Sequence, residues 1–192
     1  MNSGLREKFN LFKSSYEKQS GQVYLATDTK AAIENVEQIL AASKSKKAVL
    51  APISKEIEKN LNSFFAKSNF PIVAVKQNVT SVAQQINVAD VGICPAEFAI
   101  AETGTIVEVT TDDAHRLISS LPRVHIAFLE AAQIVNSLAE AASRLREIYR
   151  KYKEYCNITF ISGPSRTADI EMKLFLGVHG PQESHVIVCD WQ

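Results

Sequence analysis

No cysteine pair in this chain is spaced for a metal knuckle. Three cysteines, Cys94, Cys156 and Cys189, stand far apart, and no CxxC occurs. That leaves out the local ligand sets of zinc knuckles and iron–sulfur clusters and favours reduced, buried thiols over a disulfide framework. Glycine is also sparse. The seven glycines are never two residues apart, and no GxxxxGK occurs, so a dinucleotide fingerprint and a P-loop are both excluded. Neither GxSxG nor HExxH is present, which removes the hydrolase nucleophile elbow and the zincin helix. No apolar run reaches the roughly 18 residues of a membrane span. Neither sign of charge is in excess: Lys and Arg number 21, Asp and Glu 21, and the pI is about 6.9. There is accordingly no basic footprint for nucleic acid. The opening MNSGLREKFNLF lacks a signal peptide's apolar centre, and the expected location is cytoplasmic.

What is present is a core-forming chain. The 192 residues are 46% hydrophobic, which suits one α/β domain burying roughly 70% of its unfolded surface. Residues 1–20 read as an amphipathic N-terminal helix and 21–192 as the domain proper. Leu5, Phe9, Phe12 and Tyr16 share one helical face, with Gly21 as the stop. Strand and helix then alternate. Val23–Ala26, Ala48–Ala51, Ile72–Val75, Val91–Cys94, Thr105–Val109 and Val124–Leu129 read as strands. Helices are expected from Asp28 to Ala42, with Ala32, Val36, Ile39 and Leu40 inward, and from Ser54 to Lys67, with Ile57, Leu61, Phe64 and Phe65 inward. A short helical turn is expected over Ala96–Ala101. A long helix is expected from Ala131 to Tyr152, burying Ile134, Leu138, Ala142, Leu145 and Tyr149. This alternation implies a three-layer α/β/α fold around a mainly parallel sheet. The polar stretch Thr110–Pro122, with Asp112, Asp113, His115 and Arg116, is the kind of loop that borders a site.

Chemistry concentrates in Asn157–Gly180. Asn157–Ile161 reads as a strand, Ser162-Gly163-Pro164-Ser165 as a turn, and the next residues as a helix capped by Ser165 or Thr167 and stopping near Gly177. With His185–Cys189 as the following strand, this predicts a βαβ unit whose turn faces a helix amino end. Free N–H groups and the helix dipole there suit an anion, with Arg166 as a bidentate clamp beside the Ser162, Ser165 and Thr167 hydroxyls and the Gly163 backbone. The competing reading makes the hydroxyls caps and pairs Arg166 with a carboxylate. Asp169 and Glu171 would partly repel the anion.

Glu102, ahead of Thr103-Gly104-Thr105, is a candidate base or nucleophile. The threonine hydroxyls and the Gly104 N–H could instead hold an anion, or the turn could merely need glycine. His179, set among glycines, could titrate near neutrality or bond a carbonyl. His125, inside an apolar strand, reads as a structural histidine.

The stretches Gly163-Pro164-Ser165-Arg166-Thr167-Ala168-Asp169-Ile170-Glu171 and Gly177-Val178-His179-Gly180-Pro181 resemble the signature of the LUD domain. More narrowly they resemble the lactate-utilisation protein C family. Ala101-Glu102-Thr103-Gly104-Thr105 and Leu121-Pro122-Arg123-Val124-His125 fit the same pattern in order and spacing. The resemblance implies an α/β/α fold similar to the sugar-phosphate isomerase and coenzyme A transferase-like superfamily, with its site at strand carboxyl ends. It also implies a part in oxidising L-lactate to pyruvate beside iron–sulfur partner proteins that carry the clusters, with no cofactor or metal in this chain. Three roles follow: a non-cluster subunit holding a carboxylate or phosphate, a stand-alone enzyme on a phosphorylated or coenzyme A-linked substrate using Glu102, and a sensing or assembly protein without turnover.

Overall fold

The computed structural model describes residues 1–76, 81–153, 155–167, 175–176 and 179–191, with the side chains of all of these except Asp113, Arg166, Thr167, Phe175 and Leu176. The elements in chain order are α1 (Ser3–Glu17), β1 (Gln22–Ala26), α2 (Thr29–Ala42), β2 (Ala48–Leu50), α3 (Lys55–Lys67), α4 (Val82–Ile86), β3 (Val91–Pro95), β4 (Phe98–Ile100), β5 (Thr105–Thr110) and α5 (Asp113–Ile118). Then come β6 (Val124–Glu130), a 3-10 turn (Ala131–Gln133), β7 (Ile134–Val135), α6 (Leu138–Lys151), β8 (Asn157–Ile161), β9 (Arg166–Thr167), β10 (Phe175–Leu176) and β11 (Glu183–Cys189).

Five strands form the central sheet in the order β1-β11-β6-β3-β2, and every pairing in it is parallel. One face carries Ile93, Ile126, Phe128 and Ile187, packed against Val36, Leu61 and Phe65 of α2 and α3. The opposite face carries Ala127, Leu129, Val186 and Val188, covered by Phe9, Phe12 and Tyr16 of α1 and by Ile106 of a second sheet. Fully burying a side chain such as Leu61 or Phe12 contributes about 1.5–3 kcal/mol, so both faces of the sheet are anchored. The second sheet runs β7-β4-β5-β8 and is mixed. Its outer face, with Phe98, Ile100 and Val107, packs under Ala141 and Ile148 of α6.

The first half follows its pattern: α1, α2 and α3 bury Phe9, Val36 and Leu61 as expected. Five expectations fail. The 157–161 run is a strand, but it pairs antiparallel with β5 in the second sheet, whereas β11 lies in the first. The two are therefore not halves of a βαβ unit. Residues 166–167 are extended and pair antiparallel with 175–176, so no helix starts directly after a Ser165 cap. The rest of that expected helix, residues 168–174, lies outside the described residues. Over 96–101 the chain forms β4 instead of a helical turn. The expected long helix is broken into turn, β7 and α6; Leu138 and Tyr149 are exposed, and Ala141 and Ile148 face the core instead. Ile72 makes an isolated bridge to Ala48 and not a full strand.

Candidate functional site

A cavity of about 340 Å³ opens where β6 and β11 begin and β8 ends. His125 and Ser184, the second residues of their strands, form its buried floor. Ser162, Gly163 and Ser165 wall it from the loop after β8, and His179, Gly180 and Pro181 wall it from the approach to β11. Arg116, Ser119 and Ser120 close the side from the end of α5. Among the described residues the lining holds five serine hydroxyls, two histidines and a guanidinium, and no carboxylate.

Hydrogen bonds tie the walls together. Ser162 Oγ meets Thr105 Oγ1 at 2.8 Å, and Thr105 Oγ1 meets Thr103 Oγ1 at 2.8 Å. Tyr16, wholly buried, places its hydroxyl 2.6 Å from Ser184 Oγ and against the Gly163 amide. Burial pushes the Tyr16 phenol well above its ordinary range, so it stays neutral. Ser165 N–H donates to the Pro181 carbonyl at 2.8 Å, and the His179 amide reaches Ser165 Oγ at 3.4 Å. The loop amides at 163 and 165 thus already have partners. The loop runs extended into β9, so no helix starts directly after Ser165. An anion would be met by hydroxyls, imidazoles and guanidinium.

The other singled-out residues fall elsewhere. Glu102 is exposed and caps α6, accepting the Leu138 amide at 2.6 Å. It is not among the residues lining this cavity. Gly104 has φ +58°, and a Cβ there would lie 2.4 Å from the Ser15 carbonyl carbon and the Tyr16 nitrogen. Gly163 has φ +86°, with the Gln19 carbonyl oxygen 2.6 Å from its would-be Cβ. Both glycines therefore admit the end of α1. Arg123 is structural: it donates to the Ser43 carbonyl and faces Asp90 at 3.8 Å and Glu183 at 3.6 Å. His115 lies 2.6 Å from Asp112.

Open parallel sheets usually bind ligands at strand carboxyl ends. Here that edge holds a cleft of about 330 Å³ lined by Ser54, Pro95, Glu97, Glu130, Gln133 and Arg144 among others. Two carboxylates against one guanidinium make it unfavourable to an anion. The amino-end cavity suits one better.

Sequence reasoning missed Glu108, Cys94 and Ser184. Glu108 is 2% exposed and sits 2.9 Å from His125 Nε2 between the two sheets. A lone carboxylate in the otherwise apolar run Thr105–Val109 was the available signal. Nothing local marked Ser184.

The four stretches quoted for the resemblance converge at this corner, and comparison with known proteins agrees. The LUD domain family model matches residues 9–189. The chain belongs to the LUD domain family. Within it, the chain is 35% identical over 133 residues to the "Lactate utilization protein C" of Shouchella clausii, covering 69% of this chain and 58% of that protein. It is 30% identical over 168 residues to the protein of the same name from Anoxybacillus flavithermus, covering 87% and 74%. The chain thus spans from about half to three quarters of the length of the LUD relatives it matches. A solved DUF162 family protein of Deinococcus radiodurans shares the LUD chain's fold, with a TM-score of 0.68, 18% identity and coverage of 96% and 98%. No helix among the described residues is long and apolar enough to cross a membrane.

Proposed function

We propose that this LUD protein takes part in cytoplasmic L-lactate oxidation to pyruvate beside iron–sulfur partner proteins, holding a small carboxylate or phosphate in the amino-end cavity. The observation that supports this most is convergence. Residues from the Gly163, Gly177 and Leu121 stretches, far apart in sequence, wall one cavity with no carboxylate among its described lining residues, and Thr105 of the fourth stretch buttresses Ser162. Ser162, Ser165 and His179 are assigned to hydrogen-bond the anion, with Arg166 and Thr167, next in the chain after Ser165, supplying charge and a further hydroxyl. Thr103, Gly104 and Thr105 act from behind, setting the Ser162 rotamer. The partner assignment rests on the family resemblance of the motif stretches and on the cysteines. Cys94, Cys156 and Cys189 belong to three different apolar clusters, so they do not share one iron–sulfur centre.

Thermal denaturation with lactate, pyruvate, phosphate, sugar phosphates and coenzyme A tests the site. A ligand at 100 times its Kd stabilises by about 2.7 kcal/mol, roughly 5–10 °C for a domain of this size. Ser162→Val and Arg166→Ala are expected to abolish the shift. A shift that both variants leave intact removes the cavity from the reading. Co-purification of iron–sulfur proteins from native cells tests the partners.

A further inference from the structure

Between the two sheets, sharing with the amino-end cavity only His125 of its floor, lies a buried group of three polar side chains. Cys94 comes from β3, His125 from β6 and Glu108 from β5, which brings the third side chain across from the second sheet. They are 2%, 1% and 2% exposed. One ligating atom from each, a thiol sulfur, an imidazole nitrogen and a carboxylate oxygen, lie within 4.8 Å of one another.

Their polar atoms are not otherwise satisfied. His125 Nε2 approaches Glu108 Oε1 to 2.9 Å, yet off hydrogen-bond directions. Among the described residues neither imidazole nitrogen nor Glu108 Oε1 has a hydrogen-bond partner. A buried polar group left without a partner is destabilising, and more so when charged. An imidazole nitrogen and a carboxylate oxygen left unsatisfied beside a thiol, in a wall of Val49, Ile86 and Ile118, call for something that the imidazole, the carboxylate and the sulfur can hold together.

We propose that Cys94, Glu108 and His125 form a zinc site. A thiolate, an imidazole and a carboxylate are the donor types zinc takes, whereas calcium and magnesium call for oxygen ligands alone. Donor atoms around tetrahedral zinc stand about 3.3–3.6 Å apart, given Zn–N near 2.0 Å and Zn–S near 2.3 Å. The three donor atoms, within 4.8 Å of one another, are already close to that spacing. Three protein ligands leave a fourth position, the pattern of sites that keep water or substrate on the metal. Cys94 and Glu108 also line a cavity of about 240 Å³ with Thr110, His115 and Tyr152, and the fourth position opens there. Burial holds the Cys94 thiol well above its usual range, so without metal it is neutral; zinc binding releases its proton.

The test uses the full chain without a histidine tag, stripped with chelator and titrated with Co(II), then Zn(II). The expected result is one equivalent of Co(II) with visible ligand-field bands and a near-ultraviolet thiolate-to-cobalt charge-transfer band, both bleached by Zn(II). Cys94→Ser is expected to lose the charge-transfer band while keeping its circular dichroism. His125→Asn is expected to weaken Co(II) binding at least tenfold. Absence of stoichiometric binding by the wild-type chain overturns the proposal, whatever the variants do. A charge-transfer band that persists in Cys94→Ser overturns it too, because the sulfur is then Cys156 or Cys189. The readout is spectroscopic, so it stands or falls separately from anion binding.

Discussion

Tyr16 and Ser184, 168 residues apart in sequence, meet at 2.6 Å in the buried floor of the amino-end cavity. The contact joins α1 to β11 and fixes the Ser184 hydroxyl beside His125, so the N-terminal helix is part of the site's frame. Tyr16→Phe removes the hydroxyl without the ring. It should cost about 1–3 kcal/mol, since Ser184 and the Gly163 amide lose a buried partner. At roughly 2–4 °C per kcal/mol the melting temperature falls accordingly. Urea denaturation within 0.5 kcal/mol of wild type, an order-of-magnitude threshold for neutral surface changes, would refute it.

Glycine substitutions should separate sharply. Gly104→Ala places a methyl 2.4 Å from the backbone of Ser15 and Tyr16 at a positive φ, and the expected loss exceeds about 2 kcal/mol. Gly4→Ala meets nothing closer than Asn2 Oδ1 at 3.9 Å inside α1. It should stabilise by about 0.5–1 kcal/mol. Paired thermal melts check both signs.

His185 carries a pH dependence. Burial lowers its pKa below the ordinary 6.5, against the opposing pull of Glu183. Below about pH 6.5 the unfolded chain binds a proton that the folded chain resists, so stability rises with pH through that window and levels off above it. Unfolding free energies between pH 5 and 8 should show this slope, flattened in His185→Gln.

Thiol reactivity should rank by burial. Cys189 is pushed up to about 12 and Cys94 well above the usual thiol range, both by desolvation. Cys156 is half-buried. Iodoacetamide at neutral pH followed by mass spectrometry should label Cys156 first and the other two only on unfolding. Early labelling of Cys189 would show that β11 opens.

Glu102→Gln should weaken the start of α6 without touching ligand affinity. Its carboxylate accepts the Leu138 amide, a contact and dipole interaction worth about 0.5–1 kcal/mol. Calorimetric titration with whichever anion shifts the wild type should give an unchanged Kd. A tenfold weakening would restore Glu102 to the site.

Much of the frame was legible in the chain. The 3.6-residue stripes of α1, α2 and α3 named Phe12, Val36 and Leu61 correctly, because an amphipathic helix has one face to bury. Thr110–Pro122 was expected to border a site, and its Arg116, Ser119 and Ser120 line the cavity proposed to hold the anion. Asn157–Ile161 and Thr105–Val109 were readable as strands. Their pairing was not.

Sequence alone settled the class of the protein: the alternation of strands and helices, the inward stripes, and the motif residues that mark the LUD family. Tertiary structure decided partnership. A strand's side-chain pattern says that it is a strand but carries no address, so only packing set β8 against β5 instead of beside β11. The same packing brought Glu108 across to His125 and Cys94. A contact between distant residues is made by the whole sheet stack, and no local window of the chain contains it.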